Sequence, residues 1–265
     1  MIKPGSDSRF ISRILIALAS VAALAGCASN KTADAACELD AIREQRLATE
    51  VEQTLFDGEI KRISLPAASQ PAKDFLAIYL DGQPDKPLVI ALHGPGQNAG
   101  SAWITELGAA LNERGYPVLT LQMPVQKKDC EASETYPQIF PAAFERITAA
   151  AQSAEAADKP GRVLLGDWLA NSYLGATADA PFDSWVVTGL TGAFRSINNN
   201  TLNVLDLYGS DGPAITRRTA WIRSARLWFW GNSKQIRIQD AARGFSGKSD
   251  EVARHVDDFL SERVQ

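Results

Sequence analysis

The apolar positions along this chain change period several times, and each change marks an element. Leu39, Ile42, Leu47, Val51 and Leu55 recur at roughly helical spacing between Cys37 and Phe56, and the run stops at Asp57-Gly58. That spacing predicts a helix with one apolar face. Two short β-rich runs follow, Glu59 to Leu65 and Asp74 to Leu80, the second closed by the turn pair Asp81-Gly82; they predict an antiparallel entry pair. From Pro87 onward strands alternate with helices. The strands are PLVIAL (Pro87 to Leu92), YPVLTLQMP, RVLL, SWVVTG, LNVLDLYG and KQIRIQ. The helices are SAWITELGAALNERG, Phe140 to Asp158, a segment from about Leu169, one within PAITRRTAWIRSA, and SDEVARHVDDFL. Such alternation forces crossover connections, so the fold class is α/β, with a mostly parallel central sheet of about eight strands flanked by helices. No internal repeat or low-complexity linker interrupts it.

Composition agrees: 265 residues, 45% apolar and 22% charged, suffice for one sizeable core. The amino terminus is a separate matter. Lys3, Arg9 and Arg13 precede the apolar run Ile14 to Leu24, which is too short for a stable transmembrane helix and is placed as an export signal is. It ends in Leu24-Ala25-Gly26-Cys27, which resembles the bacterial lipobox. The resemblance implies a cleaved lipoprotein signal peptide over 1–26, an acylated (palmitate-bearing) Cys27, a tether over 27–36 and a single domain over 37–265. Ala28, rather than Asp, then implies the periplasmic face of the outer membrane, with the lipid chains as the membrane anchor. The alternative is an ordinary secretory signal with an incidental cysteine. Export under either reading excludes nucleic acid as a partner by compartment.

Two cysteines remain after Cys27. Cys37 and Cys130 can pair in an oxidising compartment, closing a long loop and stabilising the fold by roughly 4 kcal/mol; two unpaired thiols are the alternative. His93 and His255 are the only histidines and no CxxC occurs, so no metal site is expected.

The order of elements, with LHGPGQNAGSAW after the third strand, resembles the α/β-hydrolase fold over almost all of the chain beyond the signal. ALHGPGQNAGS, LNERGYPVLTLQMP, LNVLDLYGSDGPA and GFSGKSDEVARHVDDFL are similar to segments of an uncharacterised proteobacterial family of exported α/β-hydrolase-like proteins. The resemblance assigns roles by position. His93-Gly94-Pro95-Gly96 matches the loop whose backbone N–H groups hold an oxyanion, although a tight turn needing glycine accounts for it equally. A dinucleotide loop through Gly94, Gly96 and Gly100 wants an acid after the next strand, and LTLQMP supplies none, so no cofactor is expected.

The nucleophile elbow, G-x-S-x-G in the fold family, is matched by Gly166-Asp167-Trp168-Leu169-Ala170. Trp168 stands where serine attacks, and indole is no nucleophile; a shift of one residue offers Asp167 instead. The resemblance places Arg243 where the catalytic histidine belongs, and arginine stays protonated. Asp211 occupies the acid position or serves its Ser-Asp-Gly turn. If Asp211 and Arg243 face each other, an ion pair replaces an Asp-His dyad.

Charge is uneven despite a net of −4. Between Pro213 and Lys248 stand Arg217, Arg218, Arg223, Arg226, Lys234, Arg237, Arg243 and Lys248 against Asp240 alone, with Trp221, Trp228, Phe229 and Trp230 interleaved. A basic, aromatic face suits an anionic envelope partner: lipid head groups, peptidoglycan carboxylates or an acidic protein. The plainer reading makes RLWFWG a core strand end and the arginines a solvated helix face. The acidic amino-terminal helix, with Glu38, Asp40, Glu44, Glu50, Glu52 and Asp57, is a second candidate surface that could dock on the basic region. Two expectations emerge. One is a non-catalytic, lipid-anchored protein that binds through the cleft at Trp168 and the basic segment. The other is an atypical hydrolase of esters, thioesters or amides using Ser101, Ser172 or Asp167.

Overall fold

Every residue of the strand Leu88–Leu92 is buried, as its unbroken apolar run demands, and the sheet extends outward from it on both sides. The computed structural model describes residues 38–66, 74–128, 136–177, 180–194, 203–228, 233–242 and 244–262. In chain order the elements are α1 (Ala41–Thr54), β1 (Glu59–Ser64), β2 (Asp74–Leu80), β3 (Leu88–Leu92), α2 (Ala102–Asn112), β4 (Val118–Leu121) and α3 (Phe140–Ala151). There follow a short α4 (Ala154–Ala157), β5 (Arg162–Gly166), α5 (Trp168–Ala176), β6 (Ser184–Thr188), β7 (Asn203–Gly209), α6 (Ala214–Leu227), β8 (Lys234–Ile238) and α7 (Ser249–Ser261). The segments expected as signal peptide and tether over 1–36, with Cys27 among them, lie outside the described residues, as do Cys37, Cys130, Phe229, Trp230 and Arg243.

The eight strands are ordered β1-β2-β4-β3-β5-β6-β7-β8. β1 and β2 are antiparallel to their neighbours and form the expected entry pair; β3 through β8 run parallel. Successive side chains of a strand point to opposite faces, so β3 feeds two cores. Leu88, Ile90 and Leu92 meet Ile147 and Ala150 of α3 and Tyr173 of α5 on one side. Val89 and Ala91 join Ile104 and Leu107 of α2 and Val252, Val256 and Phe259 of α7 on the other. Each fully buried aliphatic side chain contributes roughly 1.5–3 kcal/mol, which is why both helix layers are held. Residues 37–265 make one compact unit, and the described core is built within it. Among the described residues no helix is long and apolar enough to cross a membrane.

Two helices differ from the periodic reading. The alanine-rich run expected as one helix over Phe140 to Asp158 breaks at Gln152, and a second short helix restarts after Ser153, because alanine propensity carries no instruction about where tertiary contacts stop. In α1 the buried stripe is Ala48 and Val51, whereas Ile42 is 87% exposed. The helix is capped by Asp40, whose carboxylate accepts from the Arg43 N–H. It packs on Leu76, Ile78 and Ala99 beside β2, not on the basic segment. Glu44, at the end of that inner stripe, pairs with the buried Arg146 of α3 at 2.8 Å. Burial pushes the Glu44 carboxyl up, and Arg146 draws it partly back.

Candidate active site

β3 and β5 are parallel neighbours, with Ala91 opposite Leu165, so their carboxyl ends bring the His93-Gly94-Pro95-Gly96 loop beside the turn into α5. That turn is tight for a local reason. A Cβ on Gly166 would lie 3.2 Å from the Cβ of Ala170 and 3.3 Å from that of Leu92, so strand, returning helix and neighbouring strand meet at a residue that must be small. This accounts for both outer positions of the elbow match by packing.

The residue at the strand-to-helix junction is Asp167, and Trp168 is already the first residue of α5. The backbone thus follows the one-residue shift, not the register that puts Trp168 at the apex. Asp167 has φ −103° and ψ −130°, outside the left-handed region, so the turn lacks the strain of a nucleophile elbow. One carboxylate oxygen accepts from the Leu169 N–H at 3.3 Å and caps α5. The other points toward the loop after β3, 3.6 Å from where a Cβ on Gly94 would sit.

Trp168 is half-buried and packs edge-on against Phe140 of α3, with ring centroids 5.3 Å apart. The contact opens a chain of rings that continues through Phe144, Tyr173 and Phe182. Edge-to-face pairs of this kind add about 0.5–1.5 kcal/mol each beyond area burial. The indole ties the start of α5 to α3.

His93 is buried with both ring nitrogens engaged. Nδ1 donates to the Gly94 carbonyl at 2.9 Å, and Nε2 accepts from the Met123 N–H at 3.0 Å. Burial lowers its pKa to about 4, so the ring is neutral at pH 7 and has no lone pair to offer a nucleophile. Its work is to clamp the loop after β3 to the segment after β4. The Gly94 N–H, the expected oxyanion donor, instead donates to the Gln97 side-chain oxygen at 3.0 Å. Gly96 has φ +72°, which favours glycine for the turn itself. The cavity against this loop, walled also by Met123, Val125, Gln126 and Ile139, holds about 20 Å³, room for one or two waters.

The other candidates are scattered. Asp211 is exposed in its turn, accepting from the Ser210 hydroxyl at 3.1 Å; Arg243, expected as its ion-pair partner, lies outside the described residues. Ser101 belongs to the turn before α2, where its Oγ accepts from the Asn98 N–H. Ser172 is buried in α5 with no hydrogen-bond partner for its hydroxyl. His255 stands on α7, where partial burial, and after it the neighbouring Arg254, depresses its pKa. Among the described residues no three His, Cys, Asp or Glu side chains gather as a metal site.

The basic segment divides. Arg217, Arg218, Trp221 and Trp228 are exposed. Arg223, expected on the same binding face, is fully buried, its Nε donating to Asp206 of β7 at 2.7 Å. Arg223 falls on the inner stripe of α6 with Thr216, Ala220 and Leu227. The sequence held one clue to this: Asp206 sits in the middle of an apolar strand, and a carboxylate there needs a buried donor. Gln97, three residues beyond Gly94, occupies the loop's amide, and nothing in its sequence spacing marks it for that role.

No family model and no curated protein sequence matches the chain. Solved structures do match in fold. A putative α/β hydrolase of unknown function from Agrobacterium tumefaciens aligns with a TM-score of 0.58 at 15% identity, covering 78% of this chain and 96% of its own. Est1E from Butyrivibrio proteoclasticus gives 0.57 at 14% identity over 78% and 99%. A dienelactone hydrolase from Anabaena variabilis gives 0.58 at 10% identity over 78% and 97%. With its eight-stranded, mostly parallel sheet and flanking helix layers, this chain has the α/β-hydrolase fold.

Proposed function

We propose that this protein is a non-catalytic member of the α/β-hydrolase architecture, anchored in the envelope through a lipid on Cys27 and acting by binding a partner. The observation that carries the reading is the state of the chain's two histidines. His93 is neutral and locked on both nitrogens, and His255 stands on α7, in the helix layer across the sheet from α3 and α5. Nucleophilic acyl transfer needs a base to take or return a proton, and neither imidazole is offered at the elbow. The occupied Gly94 N–H and the small cavity beside it agree with this.

One observation favours a second reading. Asp167 stands at the junction with an oxygen directed at the Gly94 loop, and several structures of the same fold are esterases or hydrolases, which supports an aspartate-dependent hydrolase. The test is turnover of a panel of short and long acyl esters by residues 37–265. We expect no rate above the buffer background from the native domain. A rate that disappears in Asp167→Asn would overturn the non-catalytic reading and establish the second.

A further inference from the structure

α6 is built inside out. Its inner stripe carries the buried Arg223, whereas Ile215 (53% exposed), Trp221 (70%), Ile222 (38%) and, just beyond its end, Trp228 (85%) face solvent. Arg217 and Arg218 are exposed on the same helix, and among the described residues neither is paired with a carboxylate. The sequence from Gly212 to Gln239 contains no acid at all, so α6 itself carries none. From 215 to 228 the exposed positions recur every three to four residues, drawing a stripe about 20 Å long at 1.5 Å per residue. Tryptophan and isoleucine with arginine beside them is the composition of a helix lying in the interface of an anionic bilayer: indole sits at the headgroup level, aliphatic groups enter the acyl boundary and guanidinium meets phosphate.

We infer that the outer face of α6 docks on the surface of a bilayer bearing anionic headgroups. Chain length adds a second argument, which rests on the Cys27 anchor proposed above. Ten residues lie between Cys27 and Glu38, the first described residue, and the steps of chain from one to the other reach at most about 40 Å when fully extended. A domain held so closely must turn some face to the membrane, and α6 offers apolar area and positive charge together. Docking through α6 asks nothing of the elbow, so it holds for a binder or a hydrolase.

The test uses residues 37–265, which carry the whole described core but no lipid anchor, in sedimentation with vesicles of phosphatidylcholine alone or with phosphatidylglycerol added. Binding is expected to the anionic vesicles and to fall with salt, with a blue shift in tryptophan emission that shrinks in Trp221→Phe. Arg217→Gln with Arg218→Gln lowers the partition about thirtyfold, from roughly 1 kcal/mol for each arginine near the surface. All three positions are exposed, so an unchanged thermal unfolding curve certifies the variants as folded. Equal partition into neutral and anionic vesicles, or none into either, overturns the inference. Self-association that Trp221→Ser abolishes, without vesicle binding, overturns it in favour of a second copy covering the face.

Discussion

Replacing Arg223 by methionine isolates the energetics that turn α6 inside out. In the native domain the guanidinium donates from Nε to Asp206 at 2.7 Å and from Nη1 to the Gly192 carbonyl at 3.2 Å, the Thr216 carbonyl at 3.2 Å and the Thr219 hydroxyl at 2.9 Å. Removing it leaves Asp206 fully buried with the Gln235 amide as its side-chain donor among the described residues, at 2.7 Å. Stranding one partner of a buried pair costs about 3–5 kcal/mol. For a domain of this size that is a fall in Tm of roughly 6–20 °C. The pair is itself incompletely satisfied: Asp206 Oδ1 and Arg223 Nη2 are buried without partners. Arg223→Met combined with Asp206→Leu therefore recovers most of the loss, because two desolvated charges leave together and apolar contact replaces them. Urea unfolding of residues 37–265, followed by tryptophan fluorescence, measures all four corners of this cycle, with m unchanged if the denatured state is the same. A single variant within about 1 kcal/mol of native, or a double variant no better than the singles, would refute the reasoning.

His93 makes stability depend on pH in a defined direction. Its folded pKa, about 4, lies below the unfolded value near 6.5, so the unfolded chain binds the extra proton between them. The neutral ring's contribution is whole above pH 6.5 and shrinks as pH falls toward 4, by about 3 kcal/mol in all. Unfolding titrations at pH 7 and 4.5 should show His93→Gln losing less stability than native on acidification; equal losses would remove His93 as the cause. Trp168→Ala should destabilise by about 2 kcal/mol, because the half-buried ring leaves a gap beside Phe140. Gain of ester turnover in that variant, without loss of stability, would show the indole to be a plug and not a strut.

Much of the architecture was legible from periodicity, and for one reason. LVIAL at β3 is apolar at every position because both faces are covered, and SDEVARHVDDFL repeats at helical spacing because α7 is covered on one. The elbow was legible only in part. Gly166 and Ala170 could be read as small residues of a strand-to-helix turn, but which residue stood at the junction could not, since the end of β5 is set by its pairing with β3 and β6. Helical spacing puts Ile42 on the apolar face of α1 and groups Glu44 with the surface acids. Glu44 instead turns inward to pair with the buried Arg146, and Ile42 is left exposed.

The sequence by itself determined the fold class, the order of strands and helices, and the absence of a serine at the elbow, because local pattern and residue chemistry suffice for each. Only the tertiary structure decided that Asp167 turns the corner, that Gln97 takes the Gly94 amide, and that Arg223 goes in while Trp221 stays out. Those outcomes depend on groups brought together from different strands, loops and turns, where a donor and an acceptor must satisfy each other at about 3 Å, and no spacing along the chain encodes which of them will meet.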